Sequence, residues 1–235
     1  MLRVVDEGPH HVVVVKPYNM VVVTGRGAPK PTLLDVAMEQ FSPAIRPVHR
    51  LDRATFGLVI LAKTLYGQQA LSEAFRRHLV DKRYLAIIEG VPTWNSLAID
   101  ARLTRIDDPE ARKGPLARQT IDPDGVRALT RVKIFARGTD FCVVEARPET
   151  GRMHQIRAHL SHVGHPIVGD KVYGAQTPLA QNAIALCAFG VSFPGPSGGR
   201  HFATIDPPKE MLDFCAQHHL DFKEKLKAEQ KKFSK

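Results

Sequence analysis

Cysteine, tryptophan, long apolar runs and acidic charge are what this 235-residue chain has least of. Its three cysteines, Cys142, Cys187 and Cys215, are odd in number and widely spaced, which excludes a disulfide framework or a cysteine-rich zinc site and fits reduced, packed thiols. The longest apolar runs, residues 12–15 and 57–62, are strand-sized, far short of the roughly 20 residues that cross a bilayer, so no membrane span is expected. In the opening MLRVVDEGPHH, acids and a proline stand where a secretory signal needs an apolar core, and the chain is expected in the cytoplasm. Acids number 24 against 33 lysines and arginines, and the net charge of +9 points to a polyanionic partner, nucleic acid foremost, bound in a salt-sensitive way. Part of that excess sits in residues 223–235, with six lysines against two glutamates; a solvated helix end and a polyanion contact both fit it. What remains is ordinary for a folded globular protein: hydrophobic residues at 43% and charged residues at 24% exclude disordered and collagenous classes.

The β-branched runs at 11–15 and 20–23, separated by Lys16, Pro17, Tyr18 and Asn19, predict an opening hairpin. After a Gly/Pro loop at 25–31, the spacing of Leu33, Leu34, Ala37 and Phe41 predicts a helix over 32–41, with Thr32 and Asp35 as its start signal. A charged loop at 49–53 then runs into the apolar strand 58–62, which places its charges at the mouth of a buried strand. Helical spacing over 68–79 precedes a strand at 84–89. Residues 104–125, rich in Asp, Pro, Gly and Arg, are expected to be mostly surface loop. Strands at 126–136 and 141–146 pair across Gly138, and a helix over 153–163 ends at Gly164 and Pro166. Strands and helices mix without strict alternation, which predicts an α+β protein: one domain over 1–220 and a basic tail over 221–235.

Asp52 lies in His49-Arg50-Leu51-Asp52-Arg53, between two arginines. Guanidinium neighbours favour the ionised carboxylate, which suits a nucleophile, and an ion pair that merely pins a loop fits the same residues. Arg157 sits at the border of the apolar stripe Met153, Ile156, Leu160 and Val163, where a desolvated guanidinium needs a carboxylate or phosphate partner. Tyr84 follows the basic pair Lys82 and Arg83; its ring could stack on an unpaired base beside phosphate-holding cations, or simply fill the core. Histidines 154, 159 and 162 scatter around the helix axis and His165 lies beyond the Gly164 break, so they do not converge as metal ligands would.

The segment HRLDRATFGLVILAKT resembles the signature of the RluA family of pseudouridine synthases, commonly HRLDR-x-T-S-G-L followed by an apolar strand and AK. In the same order, KRYLAIIEG resembles that family's Lys-x-Tyr strand, and TGRMHQIRAHLSHVGHPIVGDKVYG its TGR-x-HQIR block, so the matching segments span residues 11–174. The resemblance implies the pseudouridine synthase fold, a mixed, mostly antiparallel bent sheet with flanking helices and a central RNA-binding cleft. It also implies isomerisation of uridine in RNA without cofactor or metal. By the same resemblance Asp52 is the catalytic aspartate, Tyr84 the ring that stacks on the target base, and Arg157 the cation that keeps Asp52 ionised and oriented. Arg50 helps to open or occupy the space of a flipped base; Arg53, Lys82, Arg152, His154 and Gln155 complete the expected RNA-binding set. The expected partner is transfer or ribosomal RNA, bound by a monomer with no membrane contact. Two positions depart from the family pattern: Phe56 where serine is usual, and Cys187 in ALCAF where the usual LHA has histidine. A catalytically silent RNA-binding or chaperone protein of the same fold, and a metal-dependent phosphodiesterase, are the competing classes.

Overall fold

The computed structural model describes residues 1–25, 30–107 and 117–233. In chain order the elements begin β1 (Val4–Glu7), β2 (His11–Lys16), α1 (Leu33–Gln40), β3 (Arg46–Pro47), β4 (Phe56–Ala62), α2 (Leu65–Arg76) and β5 (Asp81–Glu89). They continue β6 (Ser96–Asp100), β7 (Leu103–Ile106), β8 (Arg118–Ile121), β9 (Leu129–Arg137), β10 (Phe141–Pro148) and α3 (Gln155–His162). Last come β11 (Leu186–Pro194), β12 (Arg200–Thr204), α4 (Lys209–Gln217) and α5 (Lys223–Phe233). None of the described helices is long and apolar enough to cross a membrane. The chain divides into two compact units, the first made of residues 1–82, 187–207 and 227–235, the second of 83–186 and 208–226.

In the first unit β1 pairs antiparallel with β2, β2 antiparallel with β4, β4 parallel with β11, and β11 antiparallel with β12. The unbroken valine run of β2 and the run Leu58–Ala62 of β4 are buried residue after residue, as strands covered on both faces must be. Helix α1 starts as Thr32 and Asp35 predict. The Thr32 hydroxyl accepts from Asp35 N at 3.1 Å and the Asp35 carboxylate accepts from Thr32 N at 2.9 Å, a reciprocal cap for two otherwise unsatisfied donors. Those hydrogen bonds hold the Asp35 carboxyl below its ordinary range.

The expected hairpin between 11–15 and 20–23 does not form; β2 instead pairs with the preceding strand β1. The backbone of 20–23 is otherwise engaged. Val21 and Val22 carbonyls accept from Leu33 N and Leu34 N at the start of α1, at 2.9 and 3.0 Å, and the Met20 carbonyl accepts from the Lys16 ammonium. Their valines reflect burial beside a helix terminus, and the β-branched pattern alone does not distinguish that from a ladder.

In the second unit β5 pairs antiparallel with β10, β10 with β9 and β9 with β6. Thus every strand pair described within the two units is antiparallel except β4–β11, in line with the mixed, mostly antiparallel architecture expected. The 104–125 segment holds more structure than its composition suggests, because β7 and β8 form their own two-stranded ladder. Leu103 there packs into a buried cluster with Ala128, Ala158 and Tyr173, and Gln119 N donates to the Tyr173 hydroxyl at 2.8 Å, so this excursion is anchored at both strands. Its residues 108–116 lie outside the described part. The basic C-terminal segment is the helix α5, whose Leu226 and Phe233 are buried while its lysines are exposed, Lys225 donating to the Ile134 carbonyl at 2.8 Å.

Candidate functional site

The catalytic candidate of the first unit is carried by the loop that enters β4. Asp52 is half-buried, Arg50 and Arg53 are exposed, and the Asp52 carbonyl closes a turn by accepting from Thr55 N at 3.1 Å. Three contacts hold this loop in place. His49 Nε2 accepts from Ile60 N on β4 at 2.9 Å while its ring stacks on Phe75 of α2, centroids 4.6 Å apart. Burial, reinforced by the charge of Lys82, pulls the His49 pKa down to about 3, so the ring is neutral and acts as a hydrogen-bonding peg. Arg53 Nε donates to the Asn19 carbonyl at 3.3 Å.

The third contact comes from Lys16, whose part in the site the sequence pattern did not announce. Fully buried at the end of β2, its ammonium donates to the carbonyls of Pro17 and Met20 at 2.8 Å and of Arg53 at 3.2 Å. Three acceptors match the three N–H bonds of an ammonium, and together they join the 17–20 turn to the Asp52 loop. Burial lowers the Lys16 pKa to about 7, and the charge of Asp52 acts in the opposite direction, so the carboxylate lies within electrostatic reach of a buried cation. The only signal available in advance was a lysine ending an apolar strand just before a proline, which reads equally well as a turn.

Immediately after the loop, Gly57 takes φ +132° where β4 runs parallel to β11. A Cβ there would lie 2.4 Å from the Ala188 carbonyl oxygen, so the close approach of the two strands requires glycine. The preceding pair in the same ladder is Phe56 opposite Cys187, the two positions that depart from the family pattern. Burial raises the Cys187 thiol pKa far above its ordinary value, which makes it an inert packing group.

The second unit holds Tyr84, Arg152, His154, Gln155 and Arg157. Tyr84 is half-buried on β5, opposite Ala146 of β10. On β10 the buried Glu145 binds Arg147 at 2.9 Å and Arg83 at 3.5 Å, so a single carboxylate gathers two guanidinium groups beside the Tyr84 strand. Lys82, at the edge of the first unit, has its pKa drawn down to about 8 by burial against the opposing charge of Asp81.

Arg157 is buried on α3, and the carboxylate partner that its position demands is Asp170. Nε and Nη2 donate to the two Asp170 oxygens at 2.6 and 2.8 Å, and the guanidinium lies over the Tyr173 ring at 5.0 Å from its centroid. This fork fixes the plane of the guanidinium. His154 enters the helix in the left-handed conformation, φ +51°, with its ring edge on Tyr173 and Nδ1 3.2 Å from the tyrosine hydroxyl. Arg152 is exposed and donates to the Arg127 carbonyl at 3.2 Å.

Gln155 corrects the expectation of an RNA contact. It is buried; its carbonyl accepts from the Thr150 hydroxyl at 2.7 Å and Arg152 N at 3.0 Å, and its amide donates to the Leu129 carbonyl and the Thr130 hydroxyl at 3.0 Å. An amide with both ends engaged inside the protein braces α3 against β9 rather than facing a ligand. His159, also buried, places its ring nitrogens 2.9 Å from the Thr130 hydroxyl and the Ala101 carbonyl, so it belongs to the same brace.

Residues 10–162 match the family model described as RNA pseudouridylate synthase. The chain is 33% identical over 182 residues to the ribosomal large subunit pseudouridine synthase D of Haemophilus ducreyi, covering 74% of this chain and 53% of that protein. It is 32% identical over 210 residues to the uncharacterized RNA pseudouridine synthase YlyB of Bacillus subtilis, covering 86% of this chain and 67% of that protein. Against the synthase D proteins of Haemophilus ducreyi and Haemophilus influenzae, the chain spans about half the length of the curated relatives it matches, 53% and 56%. Among solved structures, human RNA pseudouridylate synthase domain containing 4 shares the fold with a TM-score of 0.75 at 22% identity, covering 93% of each chain. Human RNA pseudouridylate synthase domain containing 1 follows with a TM-score of 0.70 at 22% identity, covering 93% of this chain and 95% of that one.

Proposed function

The chain belongs to the RNA pseudouridylate synthase family, and from that premise we propose that it isomerises a uridine of ribosomal or transfer RNA to pseudouridine. The observation that carries the reading is that the family match, residues 10–162, covers the segments that hold Asp52, Tyr84 and Arg157. In this reading the Asp52 carboxylate attacks the uridine at C6 of the ring or C1′ of the sugar, once the base has left its stack. The N1–C1′ bond breaks, the base turns, C5 bonds to C1′, the bond to the Asp52 carboxylate is broken to free the enzyme, and the proton on C5 leaves while N1 gains one. Nothing is oxidised or reduced, so residues that hold and orient uracil are the main requirement. Tyr84 is assigned the stacking role, and Arg157, with its plane fixed by Asp170, that of a positioning cation. Arg50, Arg53, Lys82, Arg152 and His154 are assigned to RNA contact, in keeping with the net charge of +9. Ribosomal RNA is favoured over transfer RNA by the names of the relatives, and the three buried free cysteines suit a reducing cytoplasm.

The test is tritium release from RNA labelled at uracil C5, with wild type and Asp52→Ala on ribosomal and transfer RNA pools. Release by the wild type alone, with RNA binding retained by Asp52→Ala, is expected. Equal release by both proteins would remove Asp52 as the nucleophile. RNA binding without release from either pool would favour a catalytically silent RNA-binding protein.

A further inference from the structure

Away from the Asp52 loop, Asp6 on β1, His11 on β2 and His201 on β12 converge, although His201 lies 195 positions from Asp6 in the sequence. Among the described residues they are the one group of three potential ligands whose donor atoms all lie within 4.8 Å of one another. His11 Nε2 stands 2.9 Å and His201 Nδ1 3.1 Å from the same oxygen, Asp6 Oδ2. Bonds of about 2.0 Å to a tetrahedral metal would put neighbouring ligand atoms about 3.3 Å apart, so only small side-chain shifts separate this arrangement from coordination.

The two imidazoles are held ready by one phenyl ring. His201 stacks on Phe193 at 5.3 Å and 15°, His11 meets the same ring edge-on at 5.1 Å and 85°, and the two imidazole centroids lie 4.3 Å apart. Access is graded as well: His11 is buried, whereas the side chains of Asp6 and His201 are 26% and 32% exposed, leaving an outer face open to water. The neighbouring ammonium of Lys63 is bound by Glu7 at 2.6 Å.

We propose that Asp6, His11 and His201 form a three-ligand site for a zinc-type divalent cation, with water as the fourth ligand. Two imidazole nitrogens and one carboxylate oxygen select zinc or a neighbouring first-row ion over magnesium and calcium, which prefer all-oxygen shells. Such an ion joins the β1–β2 hairpin to β12 and so braces this edge of the first unit. His11 Nδ1 is buried and takes no hydrogen bond, so the second contact that typically raises metal affinity by about 10–100-fold is missing, and the site binds more weakly than one so braced.

The experiment uses the full chain, stripped with chelator and titrated with Zn2+ by calorimetry and with Co2+ by visible absorption, alongside Asp6→Asn, His201→Phe and His78→Asn. The phenylalanine keeps the stack on Phe193 without a ligand atom, and exposed His78 controls for adventitious binding by the chain's 11 histidines. Expected are one ion per chain in wild type and His78→Asn, a tetrahedral Co2+ band, and a melting temperature raised by about 5–10 °C at a hundredfold excess of Zn2+ over Kd. Asp6→Asn and His201→Phe should bind at least tenfold more weakly and lose the Co2+ band. The proposal is overturned if these two variants bind Zn2+ as tightly as wild type at unchanged stoichiometry, or if Mg2+ gives the same thermal shift as Zn2+.

Discussion

Lys16→Met removes a buried ammonium and leaves a side chain of similar length. The carbonyls of Pro17, Met20 and Arg53 then lose their donor. A buried acceptor left without a partner costs about 1–3 kcal/mol, and movement of the two loops toward water recovers part of the sum. Methionine also escapes the cost of burying a charge. The fall in pKa from 10.5 to about 7 corresponds to about 5 kcal/mol in favour of the neutral amine, at about 1.4 kcal/mol per tenfold change in proton affinity. The lost hydrogen bonds still win near neutral pH, because a lysine that sheds its proton keeps two N–H donors whereas methionine has none. Urea unfolding at pH 7 should therefore show Lys16→Met less stable by about 2–4 kcal/mol.

The pH dependence gives an independent check. A lysine that binds its proton less tightly in the folded than in the unfolded chain leaves the unfolded state with more protons between the two pKa values, so stability rises with pH in that window. The gap between wild type and Lys16→Met should be flat below about pH 7 and widen from there toward 10.5. A gap below about 0.5 kcal/mol at pH 7 would refute the tether, being no larger than that of an ordinary surface change. A gap that narrows as pH rises would refute the burial argument. Because the Arg53 carbonyl adjoins Asp52, loosening the loop by about 1 Å should lower turnover about 100-fold while RNA affinity changes little.

Asp170→Asn leaves the buried Arg157 guanidinium facing a neutral amide, and urea unfolding should show a loss of about 3–5 kcal/mol; the double change Arg157→Met with Asp170→Leu should recover much of the stability and none of the activity. Gly57→Ala puts a methyl group against the Ala188 backbone at a φ that L-residues rarely adopt, and thermal unfolding should report a loss of about 2–5 kcal/mol, more than a typical interior Gly→Ala change. Phe56→Ser opens a cavity and Cys187→His overfills a buried site, but the two together should cost about 1–2 kcal/mol less than their sum in a double-mutant cycle; strict additivity would refute contact between them.

Elements whose physics is local were legible in the sequence. The α1 start follows from Thr32 and Asp35, whose side chains reach only three residues, and β4 follows from an apolar run that tolerates no exposure. Where a backbone group finds its partner far along the chain, the pattern misleads. Residues 20–23 have the composition of a strand, but their carbonyls serve Leu33, Leu34 and Lys16. Gln155 is expected at the RNA only through the family resemblance, and four partners from Leu129, Thr130, Thr150 and Arg152 occupy it. Lys16 errs in the opposite direction, because a fully buried lysine is rare enough to be passed over as a turn residue. The Asp6, His11 and His201 cluster had no sequence signal at all, since its spacing is set by the pairing of β1 and β12 with other strands.

The two departures from the family pattern take on a different meaning once their register is known. In isolation, Phe56 for serine and Cys187 for histidine are two losses of polar side chains near the Asp52 loop. Because they face each other across the parallel β4–β11 ladder, they share one face of the sheet, where a large residue has replaced a small one and a small residue a large one. Approximate conservation of volume at one ladder position is the signature of repacking, which cores tolerate far better than either change alone. The contacts that hold the Asp52 loop, from Lys16 to the Arg53 carbonyl, from Ile60 N to His49 and from Thr55 N to the Asp52 carbonyl, involve neither Phe56 nor Cys187. The pair therefore alters packing at the start of the strand that follows the Asp52 loop without removing anything that holds the loop in place.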